Sequence, residues 1–181
     1  MRDWDRNPNW REQDLYFDFS QARSAIKLDE SGRDGHGLSH MLKSVDFVVE
    51  WSNQYWLIEI KDPDNGAIPE AQREKQLNKF SKELKSGELI STHLFPKLRD
   101  SLIYLSMDKG VPNLPLKYIV LIGMNCLEPP ELSALKAKLK NTNWLSGPKR
   151  GWNKSFDIQC LNIKQWNRLL TNCPVQRISN N

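Results

Sequence analysis

Nowhere in the 181 residues do apolar side chains run for the roughly eighteen consecutive positions that a bilayer span needs, so no membrane contact is expected. The N-terminus, Met1-Arg2-Asp3-Trp4-Asp5-Arg6, lacks the apolar stretch and small-residue cleavage site of a secretory signal, and a cytoplasmic setting is the expectation. Cysteine is scarce: Cys126, Cys160 and Cys173 are odd in number and never in a C-x-x-C spacing. That count indicates neither a disulfide framework nor a cysteine zinc site. There is no G-x-x-x-x-G-K-S/T, no G-x-G-x-x-G and no G-x-S-x-G, so nucleoside-triphosphate and serine-hydrolase chemistry lack motif support. Internal repeats and low-complexity segments are absent too.

What is present suits one α/β domain over residues 1–181, with residues 1–13, polar and carrying Pro8, as an N-terminal arm. Apolar residues make up 39% and charged ones 27%, the balance of a globular chain. A net charge of +4, from 26 basic and 22 acidic residues, permits an anionic partner without requiring one. The seven tryptophans are scattered rather than periodic, and most are expected in the core or at its rim, with one or two available to stack on bases.

From Asp14 the apolar residues Leu15, Phe19, Ala22 and Ile26 fall at spacings of four, three and four, which predicts a first helix. Gly32, Gly35 and Gly37 then break any helix, and a short strand is read over 40–43. Helices are expected over 70–85, over 96–108 and from Pro130, with a buried strand over 118–124. A last strand over 156–161 and a closing helix capped by Asn162 complete the pattern. The fold class is therefore α/β, a central mixed sheet flanked by helices with an appended C-terminal strand and helix.

The informative stretch is a hairpin. Apolar runs Val45 to Trp51 and Tyr55 to Ile60 flank Ser52-Asn53-Gln54, a strand, turn and strand signature. With the turn there, Asp46 falls opposite Glu59, and Lys61 shares their face of the sheet. Val45, Phe47, Val49, Trp51, Trp56, Ile58 and Ile60 share the other, apolar face. Two adjacent carboxylates can hold Mg²⁺ or Mn²⁺ through oxygen, and a neighbouring amine can orient water or neutralise charge at phosphorus. The competing reading is a cross-strand salt bridge of Lys61 on a solvated sheet face.

This arrangement of Asp46, then Glu59-Ile60-Lys61 on the next strand, resembles the signature of the PD-(D/E)XK (restriction-endonuclease-like) nuclease superfamily. Val45 stands where the family's proline would be. The resemblance implies a restriction-endonuclease-like core, metal ligation by Asp46, Glu59 and the backbone carbonyl of Ile60, and a catalytic role for Asp46, Glu59 and Lys61. It also points to an acid from the first helix, for which Glu12, Asp18, Asp29 and Glu30 are candidates, and to a glutamine, Gln72 or Gln76. The expected activity is endonucleolytic hydrolysis of phosphodiesters with Mg²⁺ or Mn²⁺, DNA being favoured over RNA. A catalytically inactive module binding nucleic acid or protein is the alternative.

Two basic regions could meet phosphates. One is the row Lys75, Lys79, Lys82 and Lys85; the other is the Gly/Pro loop with Lys149, Arg150 and Trp152 near Trp144, where cations adjoin aromatic platforms. The second is the better candidate for nucleic-acid binding. His36 and His40 are four apart but lie among glycines, which argues against a helical metal pair, and His93 is placed at the start of a helix. A homodimer is expected on the ground that one small chain carries one site while a duplex has two strands.

Overall fold

The computed structural model describes residues 7–30, 38, 41–124, 126–142 and 147–179. Its centre is a five-stranded mixed sheet in the order β3-β4-β5-β6-β7, formed by Ser24–Lys27, Phe47–Glu50, Tyr55–Lys61, Leu116–Ile122 and Phe156–Asn162. β3, β4 and β5 pair antiparallel, and β5, β6 and β7 pair parallel. Parallel neighbours need crossovers. Between β5 and β6 the chain builds α1 (Glu70–Ser86), a π-helical stretch (Leu89–Leu94) and α2 (Phe95–Met107); α3 (Pro129–Lys140) joins β6 to β7.

These helices cover one face of the sheet, where Phe80, Leu98, Leu105, Leu132, Leu135 and Leu139 pack on Val48, Leu57, Tyr118, Val120 and Ile158. The other face is covered by α4 (Ile163–Leu169) and a small antiparallel sheet of β1 (Arg11–Glu12), β2 (Leu15–Phe17) and β8 (Val175–Arg177). Phe17, Phe19, Trp166 and Leu170 there meet Phe47, Val49, Trp56, Ile58, Ile119 and Leu121. Both faces being buried explains why the central strands read as continuous apolar runs. Among the described residues no helix is long and apolar enough to cross a membrane.

The expected α/β class, the four later helices and the sheet they flank are present. The expected first helix is not: residues 14–26 form β2, a turn and β3. Leu15, Phe17 and Phe19 also alternate, and their partners decide between the two periods. β2 pairs with β8 from the far end of the chain and β3 with β4, so long-range pairing overrides a local 3.6-residue pattern. β3 also supplies the sheet strand expected over 40–43, where 41–43 has no regular structure and residue 40 lies outside the described residues. Residues 7–12 of the N-terminal arm pack back on the domain: β1 pairs with β2 and the Trp10 ring meets Phe19 edge-on at 5.9 Å. His93 falls within the π-helical stretch rather than at a helix start. The closing helix is capped as expected: Asn162 Oδ1 accepts from Gln165 N at 2.8 Å and Gln165 Oε1 from Asn162 N at 3.3 Å.

Candidate active site

Hairpin register places the first two residues. Phe47 pairs with Ile58, Val48 with Leu57, Val49 with Trp56 and Glu50 with Tyr55, and Trp51 N donates to Gln54 O across the turn at 2.9 Å. Extending this register puts Asp46 opposite Glu59. The Ile60 amide donates to Asp46 Oδ2 at 2.6 Å, which locks the carboxylate against β5. Six of the seven residues expected on the apolar face share one core cluster; Val45 instead joins the helix-covered one.

The face carrying the carboxylates is not solvated. Asp46 is 5% exposed and Glu59 0%, because α2 lies over them. The N-terminal half of α2 fixes the approach to β4: Ser101 Oγ accepts from Val45 N at 2.9 Å and Asp100 Oδ2 from Lys43 N at 3.1 Å. Just upstream, the buried Tyr118 hydroxyl donates to Leu94 O at 2.9 Å, pinning the junction between the wide π turns and regular helix. Such π segments recur at functional sites.

Two amines meet the pair. Lys61 Nζ lies 2.8 Å from Glu59 Oε1. Lys97, in the first turn of α2, places its Nζ 3.1 Å from Glu59 Oε2, 3.3 Å from Asp46 Oδ1 and 3.1 Å from Asp29 Oδ2. Lys97 was not anticipated. In sequence it is one lysine among many, and only the docking of α2 brings it here. Both Glu59 oxygens are buried, and each faces one of these amines at salt-bridge distance.

Burial, and then the charge of Glu59, push Asp46 well above the usual carboxylate range, although Lys97 pulls the other way. Burial likewise raises Glu59 against the opposing pull of Lys61 and Lys97. For Lys97 burial works against the charge, but the carboxylates of Glu59, Asp46 and Asp29 outweigh it and lift the amine above its ordinary range. Two carboxylates and two ammonium groups are thus held together at a cost in desolvation, the pattern typical of sites with a task.

Of the four candidate acids, Asp29 alone contacts this group, through Lys97 and from the loop after β3. Glu12 pairs with Lys27 at 3.0 Å, and Asp18 accepts from Ser20 N at 2.9 Å. Gln76 borders a groove of about 300 Å³ together with Lys61, Lys79 and His93, whereas Gln72 is not part of its wall. Burial and then Lys61 lower the His93 pKa, which favours the neutral imidazole, while Glu83 pulls the other way.

Lys149, Arg150 and Trp152 are exposed and lie elsewhere. Arg150 and Trp152 border an apolar groove with Ile103, Met107, Leu116 and Phe156. Leu116 pairs with Tyr55, at the hairpin-turn end of β5, so Glu59 is four residues, or about 13 Å, further along the strand. Trp144, His36 and His40 lie outside the described residues.

The donor set fits a hard divalent cation: all oxygen, with two buried carboxylates on one sheet face drawn together around the Lys97 amine. Among the described residues no cluster of three or more His, Cys, Asp or Glu is arranged as a metal site, so this pair would need backbone or substrate oxygens as well. No protein-family model matches the chain, and neither curated proteins nor solved structures give a match. The resemblance to PD-(D/E)XK nucleases therefore rests on the sequence pattern of Asp46 and Glu59-Ile60-Lys61.

Proposed function

We propose that the chain is a metal-dependent phosphodiesterase of the restriction-endonuclease-like kind, cutting nucleic acid with DNA favoured over RNA. The observation that carries this reading is the buried meeting of Asp46 and Glu59 around one cation position, Lys97 Nζ lying within 3.3 Å of both, with the Lys61 amine on the same side of the sheet. Asp46 and Glu59 would hold Mg²⁺ or Mn²⁺, with the Ile60 carbonyl added as the family likeness implies. The bound ion would supply Lewis acidity at the phosphoryl oxygens and a more acidic water.

The chain's own groups do the rest. Asp46 is kept in one rotamer by the Ile60 amide, so the carboxylates are set before any ligand arrives. Lys61, partly exposed beside the groove, can hold a water by hydrogen bond and offset negative charge developing on phosphorus. The helix layer over Glu59 limits water access, which strengthens each of these interactions.

A second reading also has an observation behind it. Lys97 already neutralises the pair, as would suit a non-catalytic member of the fold that binds nucleic acid or protein. The two separate on purified protein incubated with single- and double-stranded DNA and RNA plus Mg²⁺, Mn²⁺ or EDTA. Cleavage that needs the metal is expected, and Asp46→Asn or Glu59→Gln should lose metal affinity and cleavage together. Lys61→Met should still bind metal in calorimetry while its single-turnover rate falls on the order of a hundredfold. If Lys61→Met cleaves at the parent rate, the amine is only a salt-bridge partner. If the parent cleaves nothing, the binding module is the function.

A further inference from the structure

Every oxygen of the carboxylate pair already has a partner. Asp46 Oδ2 takes the Ile60 amide and Glu59 Oε1 faces Lys61. The remaining two, Asp46 Oδ1 and Glu59 Oε2, face the single Lys97 nitrogen at 3.3 and 3.1 Å. A divalent ion held by Asp46 and Glu59 would compete with this ammonium for the same carboxylates.

We infer that Lys97 is a tethered cation that competes with a divalent ion for Asp46 and Glu59 and is displaced toward Asp29 when the ion binds. The inference rests on the metal-binding reading of the site. Its structural basis is the third contact of the amine: Lys97 Nζ donates to Asp29 Oδ2 at 3.1 Å, and Asp29, unlike the other two acids, is 41% exposed on the side chain. Asp29 therefore offers a partner outside the buried pair, and a lysine stem of four methylenes can swing while its nitrogen stays paired. The arrangement answers a physical difficulty. Without a cation, Asp46 and Glu59 would be buried together with only Lys61 near Glu59, and like charges so placed repel. Lys97 offsets the buried charge of the pair, and the need to displace it lowers the net affinity for metal. Lys97 is thus an affinity-determining residue, and Asp29 sets how readily it yields.

The test is isothermal titration of Mn²⁺ and Mg²⁺ into the whole protein, with thermal melting of each metal-free variant. Lys97→Met should bind Mn²⁺ at least tenfold more tightly than the parent and melt lower without metal, with Mn²⁺ restoring the loss. Asp29→Asn, which keeps Lys97 but removes the outer partner, should bind Mn²⁺ several-fold more weakly while keeping its melting temperature. Should Lys97→Met prove too unstable to purify, Asp29→Asn still decides: affinity equal to or above the parent's overturns the inference. Parent and Lys97→Met binding equally well would overturn it and leave the metal reading standing. Absence of Mn²⁺ binding in the parent and in a folded Lys97→Met would instead remove the metal reading, and this inference with it.

Discussion

At the scale of single residues, the site is a contest between burial and charge. Asp46 and Glu59 both titrate above their ordinary range in the folded protein, burial being the largest cause in each. Unfolded, they titrate near 4. The folded state therefore binds more protons in the window that opens at about pH 4 and runs up to the raised values, and there its stability falls as pH rises. The raised Lys97 contributes stability present below its unfolded pKa, near 10.5, and so adds no slope in that window. Asp62, raised mainly by burial, adds to the trend, whereas His93, lowered by burial, opposes it as pH drops through about 6.5. Comparison with Glu59→Gln isolates the pair. Urea midpoints of the metal-free protein at a series of pH values should fall more steeply for the parent than for the variant. Parallel profiles would show that Glu59 titrates alike in the folded and unfolded chains.

At the scale of elements, the hairpin was legible because its evidence is local. Apolar alternation and a three-residue turn candidate suffice to set the register, and register sets which side chains meet Asp46. The helix layer was legible from its inward leucines. What pairs at long range was not. β1, β2 and β8 are strands of two or three residues, too short to show a period, and each exists through its partner. The same holds for the charges: Lys97 and Asp29 meet the site only once α2 and the turn after β3 are placed. Beyond Lys61 a second long-range device closes the end of β5. Arg177 from β8 reaches Asp62 at 2.7 and 2.9 Å and also donates to the Gly123 carbonyl. Gly123 follows β6 directly, and a Cβ there would collide with the Asp62 carboxylate and press on Arg177. Gly123→Ala should therefore cost about 1–3 kcal/mol, as overpacking of a tight site does. Denaturant unfolding measures this, and a variant as stable as the parent would mean that the Asp62 side chain moves aside without loss.

At the scale of the whole molecule, the two basic regions stand at different distances from the carboxylate pair. α2 makes the spacing plain: Lys97 in its first turn touches the carboxylates, while Met107 at its last residue borders the groove of Arg150 and Trp152, about 15 Å along the helix axis. That length corresponds to about four base pairs at 3.4 Å each. Lys79, by contrast, borders the same groove as Lys61. The two regions should then act differently on one substrate. Exchanging Lys149 and Arg150 for glutamate should weaken binding of a duplex of about twenty base pairs and flatten its log affinity against log salt, by roughly one in slope for each cation that contacts phosphate. Metal affinity should not change, because neither residue touches the carboxylates. Lys79→Glu should weaken binding of both the long duplex and an oligonucleotide too short to span from site to loop. Fluorescence anisotropy over a range of salt concentrations supplies both slopes. A slope unchanged by the Lys149 and Arg150 exchange would make that loop ordinary solvated surface and leave α1 as the face that meets the phosphates.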